Sequence, residues 1–240
     1  MPGAAKAMAK RGLFITGTDT SVGKTRVTLA LMGWLKNLGL TVVGMKPVAT
    51  GCFIDDGLLC NEDALLLQKN SSVRVPYEKI NPYAFELPVS PHIAARAAGR
   101  TIDLATIVRQ YRELERLADC VLVEGVGGWE VPLDERRKVS DLARALGLPV
   151  ILVVGLRLGC LNHAFLTYAA LARGGVECLG WIANQPGAEF AFLDENIKSL
   201  EAELPVPCLG ILPYGYREEG VHSGAFTTAL GNEILRGLFV

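Results

Sequence analysis

The chain has 240 residues, 50% of them hydrophobic, and a formal net charge of −1 from 24 basic and 25 acidic side chains. That apolar share suits a sizeable folded core and excludes a disordered chain. Charges of both signs are mixed without a basic stripe, which argues against nucleic acid as a partner, and no run nears the ~18 apolar residues of a membrane helix.

Met1 to Arg11 carries Lys6, Lys10 and Arg11 with no acid and no apolar signal core. Residues 1–11 are therefore expected to be a disordered tail, and the protein to be cytoplasmic. A strand is expected at Leu13–Thr16 and a helix at Lys24–Leu38, with apolar Val27, Leu31, Trp34 and Leu35 on one side. Between them Gly17-Thr-Asp-Thr-Ser-Val-Gly23-Lys24-Thr25 reads as a phosphate-cradling loop. Gly17 and Gly23 let backbone N–H groups converge on a polyphosphate in front of a helix N-terminus. Lys24 would reach the outer phosphates and the Thr25 hydroxyl would ligate magnesium. Five residues, against four in the common pattern, separate the two glycines.

The second expected strand, Thr41–Met45, runs into Lys46-Pro47, where the proline keeps the lysine extended. Lys46 is either a surface lysine or a cation aimed at the phosphates, and Thr50-Gly51 beyond it makes a turn with a free hydroxyl. Asp63 opens a helix expected at Asp63–Lys69, as an ordinary helix-start acid or a second magnesium ligand. Helices at His92–Ala98 and Leu104–Ala118 precede a strand at Cys120–Glu124. Its terminal Glu124 comes before Gly125-Val126-Gly127-Gly128 and resembles a Walker B carboxylate able to hold magnesium. The chain continues with a helix at Ser140–Leu146, a strand at Val150–Val154, a helix at Leu161–Ala172, a strand at Leu179–Ala183, a helix at Glu189–Leu204 and a strand at Leu209–Leu212.

This alternation predicts an α/β fold: a three-layer, mostly parallel sheet with helices on both faces, residues 12–240 forming one domain. Parallel strands aim their carboxyl ends at one edge, so Lys24, Lys46 and Glu124 should share a crevice. The six cysteines lack paired spacing and read as buried thiols. His92, His163 and His222 form no constellation. The residues alone support a magnesium-dependent nucleotidase or a nucleotide-driven transferase.

Six segments together resemble the dethiobiotin synthetase family, from about Gly12 to Pro213. They are Gly-Thr-Asp-Thr-Ser-Val-Gly-Lys-Thr (17–25), Lys-Pro-Val-Ala-Thr-Gly (46–51), Ser-Pro-His-Ile-Ala (90–94), Val-Leu-Val-Glu-Gly-Val-Gly-Gly-Trp (121–129), Leu-Gly-Cys-Leu-Asn-His (158–163) and Gly-Trp-Ile-Ala-Asn (180–184). The resemblance implies a P-loop NTPase-like fold and ATP-driven closure of a ureido ring. One amine of 7,8-diaminononanoate captures carbon dioxide as a carbamate, ATP phosphorylates it, and the second amine attacks, leaving ADP and phosphate.

It further implies catalytic roles for Lys46 and Lys24, with magnesium on Thr25, Asp63 and Glu124. ATP would be held by Ser21, Val22, Gly23, Lys24, Thr25 and Arg26, by Asp63 and Glu124, and by Gly125, Val126 and Gly127, with backbone N–H groups of Gly125 to Gly128 offered to substrate or phosphate. Asn184 and Gln185 would meet the adenine edge, with Pro213, Tyr214 and Gly215 closing over the base. Gln185 stands where the family often has an acid. Thr50, in place of the family's serine, would hydrogen-bond substrate. A homodimer is implied, with Gly159, Cys160, Leu161 and Asn162 taking the substrate's tail carboxylate across the interface. Two alternatives are a cobyrinate-type amidation ATPase and a dimeric switch ATPase acting on a partner protein. The first normally carries an additional glutaminase domain, and the second a further loop lysine and a membrane-seeking tail.

Overall fold

The computed structural model describes residues 12–216 and 227–239, so the tail expected at 1–11 and His222 lie outside the described residues. In chain order the first elements are β1 (Gly12–Gly17), α1 (Lys24–Asn37), β2 (Val42–Met45), β3 (Val48–Thr50), β4 (Phe53–Asp55) and β5 (Leu58–Cys60). Next come α2 (Glu62–Asn70), α3 (Tyr77–Ile80), β6 (Tyr83–Phe85), α4 (Pro91–Ala97), α5 (Leu104–Glu115), β7 (Cys120–Glu124) and α6 (Val139–Leu146). The last are β8 (Val150–Gly155), α7 (Cys160–Arg173), β9 (Cys178–Asn184), α8 (Leu193–Glu203), β10 (Cys208–Leu212) and α9 (Ala229–Phe239).

Side chains of a strand alternate between faces, so a strand covered on both must be apolar throughout. β1, β7 and β8 are buried at every position. Phe14, Val121, Val123, Leu152 and Trp181 pack towards α5, α6, α7 and α8. Their neighbours Leu13, Ile15, Leu122, Ile151 and Ile182 pack towards α1 and α9. The result is the expected three-layer arrangement around a six-stranded sheet ordered β10-β9-β8-β1-β7-β2. Every pairing in it is parallel. In register, β1 lies between β7 and β8, with Phe14 opposite both Val123 and Val150. The carboxyl ends of β1, β2 and β7 therefore open on one edge, where connections depart to opposite faces.

Sequence periodicity located α1, α2, α4, α5, α6, α7 and α8 and all six strands of the main sheet. It missed α3, α9, the parallel pair β3/β6 and the antiparallel pair β4/β5. Strands of three residues are too short to display a period. α8 begins at Leu193 instead of Glu189, because Phe192 takes a left-handed φ of 56° at its cap. α5 ends at Glu115 instead of Ala118, and its start is held by the Asp103 carboxylate, which accepts from the Ala105 and Thr106 N–H groups. Among the described residues no helix is long and apolar enough to cross a membrane.

Candidate active site

The loop between β1 and α1 takes left-handed backbone at two positions, one a glycine and one a serine. Gly23 has φ 88° and Ser21 φ 57°. A Cβ at Gly23 would lie 2.1 Å from Asn184 Nδ2, so no larger residue fits there. Lys24 folds back and donates to the Asp19 carbonyl at 2.8 Å. Arg157 reaches in from the end of β8 and pairs with the Asp19 carboxylate at 2.6 Å. Burial, and after it the nearby Lys46 charge, pull the Lys24 ammonium down to about 8. An anion arriving there would relieve both effects.

Lys46, Asp63 and Glu124 come together from the ends of β2 and β7 and the first turn of α2. Lys46 Nζ donates to Glu124 Oε1 at 2.5 Å and to Asp63 Oδ2 at 2.8 Å. Thr25 Oγ1, at the start of α1, donates to the same Glu124 oxygen at 2.9 Å. Glu124 is fully buried, and its other oxygen, Oε2, has no hydrogen-bond partner among the described residues. Burial alone would lower the Lys46 ammonium, but the charges of Glu124 and Asp63 outweigh it and raise it above its ordinary value. Burial would likewise raise Asp63, yet the Lys46 charge and hydrogen bond hold it below the usual carboxylate range.

Sequence inspection missed the support beneath Lys46. Asn81, itself buried, donates from Nδ2 to the Lys46 carbonyl at 2.6 Å, and the Lys46 N–H donates to the Ile80 carbonyl. Tyr77 Oη donates to Asn81 Oδ1 and accepts from the Asn61 N–H, bridging the lysine's support to the turn before Asp63. Burial pushes the Tyr77 phenol up to about 12, so it stays a donor at neutral pH. Tyr77 and Asn81 are four positions apart, but no local pattern marks their role, because the groups they brace at Asn61 and Lys46 lie 16 and 35 positions away.

The cleft over this cluster holds about 350 Å³ and is lined by Ser21, Gly23, Lys24, Thr25, Arg26, Lys46, Thr50, Asp63, Glu124, Val126 and Gly127. Thr25, Asp63 and Glu124 thus offer hard oxygen donors around one point, with an orphaned carboxylate oxygen among them, and this donor set fits magnesium. Two acids and a hydroxyl are an incomplete shell, which suits an ion that keeps waters and shares phosphate oxygens. One expectation is corrected. The Gly125 N–H is already donated to the Ile15 carbonyl, which leaves the N–H groups of Val126, Gly127 and Gly128 as this turn's candidates for an anion.

At the other end of the loop, Arg26 acts as a clasp. Its Nη1 donates to Asn184 Oδ1 at 3.0 Å and to the Gln185 carbonyl at 3.3 Å, and its Nη2 to the Pro213 carbonyl at 3.2 Å. Asn184 is fully buried and donates from Nδ2 to the Val22 carbonyl. Its amide thus ties the loop to β9 at both ends. Gln185 Oε1 accepts from the Tyr214 N–H at 3.4 Å, which places Pro213, Tyr214 and Gly215 beside the same clasp. Across the edge, Gly159 (φ 91°) starts α7, and the Cys160 N–H is taken by the Arg157 carbonyl. The first-turn N–H groups of Leu161 and Asn162 remain for a ligand.

A family model described as an AAA domain matches residues 11–217. The chain is 47% identical over 206 residues to the ATP-dependent dethiobiotin synthetase BioD of Cellvibrio japonicus, covering 86% of this chain and 90% of that one. It is 50% identical over 204 residues to the protein of the same name from Nitrosospira multiformis, covering 85% and 88%. Among solved structures it is similar to the septum site-determining protein MinD of Pyrococcus horikoshii complexed with Mg-ADP, with TM-score 0.55, 18% identity, and 90% and 91% of the two chains covered. The signal recognition particle receptor FtsY of Elizabethkingia anophelis gives TM-score 0.53 at 13% identity, covering 100% of this chain and 66% of that one. These last likenesses concern the P-loop NTPase fold alone.

Proposed function

The chain belongs to the ATP-dependent dethiobiotin synthetase family, a ligase family that forms C–N bonds in biotin biosynthesis, and from that premise we propose the ring-closing chemistry its own residues perform. The substrates are 7,8-diaminononanoate, carbon dioxide and ATP. A carbamate on one amine is an anion, and it must meet the equally anionic γ-phosphate. Repulsion between the two is the barrier that this site is built to lower.

Lys24, buried at the loop, places an ammonium on the outer phosphates. Lys46, held from below by Asn81 and from the sides by Asp63 and Glu124, carries a second ammonium to the carbamate. Thr25, Asp63 and Glu124 would hold magnesium, which when bound supplies further positive charge to the phosphate oxygens. Thr50 hydrogen-bonds the substrate at the cleft wall. A carbamate oxygen attacks the γ-phosphorus, the bond to the β-phosphate oxygen breaks and ADP leaves, giving a mixed anhydride. The second amine attacks its carbonyl carbon, the ring C–N bond forms, the C–O bond to phosphate breaks, and phosphate departs as the amine's proton is released to it or to water. That attack is intramolecular, so holding the diamine in place supplies most of the acceleration.

The observation that carries this reading is the meeting of two lysines and two acids at one phosphate loop. We further infer a homodimer in which residues 158–162 of one subunit receive the partner's substrate carboxylate. Supporting this, Leu158 in the turn before α7 is 96% exposed, and Leu166 on α7 is also exposed. Purified protein given Mg-ATP should release ADP only when diamine and bicarbonate are both present. Release that ignores the diamine would overturn the ligase chemistry and favour a switch ATPase.

A further inference from the structure

A cavity of about 740 Å³, roughly twice the volume of the catalytic cleft, lies between α4 and the turn at residues 133–137. It shares no lining residue with that cleft. Ala95, Ile102 and Leu133 lie beneath its floor and are almost wholly covered, so the apolar surface it presents is mainly that of the carbon stems of the longer side chains around it. Two of its arginines are structural. Arg137 pairs with Asp134 and donates to the Ile102 carbonyl, joining the two walls. Arg100 donates to the Ala84 and Pro82 carbonyls and lies over the Tyr83 and Phe85 rings.

Arg96 and Arg136 are different. Both are exposed on the lining, and neither guanidinium has a hydrogen bond or ion pair among the described residues. With Asp134 committed to Arg137, the charges of Arg96, Arg100 and Arg136 face a single further carboxylate, Glu135. An apolar wall beside uncompensated guanidinium groups is complementary to a molecule with a hydrocarbon body and a carboxylate head. We propose that this cavity is a second small-molecule site, binding an aliphatic carboxylate whose head is held by Arg96 and Arg136. The proposal stands independently of the reaction assigned to the catalytic cleft.

Octanoate is the probe, with octanol lacking the charge and acetate lacking the tail. Each is titrated into the full chain with the catalytic cleft saturated by Mg-ADP, following backbone amide shifts. Octanoate should move the amides of Arg100, Ile102 and Leu133 and bind at least about tenfold more tightly than either control. The Arg96→Ala/Arg136→Ala variant alters only exposed side chains and should bind octanoate at least about tenfold more weakly. Shifts confined to the nucleotide cleft or to residues 158–162, equal binding of octanol, or unchanged affinity in the variant would each overturn the proposal.

Discussion

Lys46 sits at 4% exposure between two carboxylates, one of them completely buried. Its charge therefore serves both the fold and the proposed chemistry. Truncation to alanine leaves the Glu124 charge unpaired in the interior, a loss of about 3 kcal/mol. The Lys46→Ala protein should unfold at lower denaturant in a urea titration. It should still bind ADP, with ring-closing turnover reduced on the order of a thousandfold. Normal turnover would remove Lys46 from the mechanism. Arg26 makes a different prediction, because its three hydrogen bonds go to the protein itself. Arg26→Met should cost roughly 2 kcal/mol in stability and raise the KM for ATP about tenfold while sparing kcat. A fall in kcat with KM unchanged would contradict the clasp.

Among elements, α9 is the one whose attachment is most specific. A Cβ on Gly231 would stand 2.0 Å from the Leu209 carbonyl oxygen, so the helix touches β10 backbone to backbone there. Leu235, one turn on, is completely buried. Gly231→Ala must push the helix away and should destabilise by about 2 kcal/mol, and Leu235→Ala by about 3 kcal/mol. Gly237 lies in the same helix with nothing near its missing Cβ, so Gly237→Ala should leave stability unchanged or raise it by about 0.5 kcal/mol. Denaturant midpoints of the three variants check this ordering; a destabilised Gly237→Ala would mean that helix fraying dominates. α9 escaped the sequence reading because its lone stretch of apolar residues follows a segment that matched no family pattern. The strands β4 and β5 were missed because three residues are too short to show a period, although the Asp56-Gly57 turn between them, both residues at positive φ, is a legible hairpin signal.

At the scale of the whole molecule, the proposed homodimer makes each site depend on two chains. Gly159→Asp keeps a residue that tolerates left-handed backbone but adds a negative charge where a carboxylate should bind. Gly159→Asp and Lys46→Ala homodimers should both be inactive. Unfolding and reassembling an equal mixture should restore about a quarter of wild-type turnover, because half the dimers gain one site built from two intact parts. No recovery would place the tail-binding segment and the lysine in the same subunit's site, or exclude the dimer.

Sequence alone determined the sheet, the phosphate loop and the identity of the charged cluster. Each of these is written in local patterns: continuous apolar strands, a glycine pair leading into Lys24-Thr25, and acids or lysines at strand ends. Strand ends meet on one edge in any right-handed parallel sheet, so convergence of Lys24, Lys46 and Glu124 was legible before any coordinates. Only the tertiary structure decided how those charges are supported. The links from Asn81 to Lys46 and from Tyr77 to Asn61, the Arg26 clasp across β9 and β10, the engaged Gly125 N–H and the arginine-rimmed cavity all join residues distant in the chain. Hydrogen bonds of that kind depend on sub-ångström placement of separate elements, and a linear pattern of residue types carries no record of it.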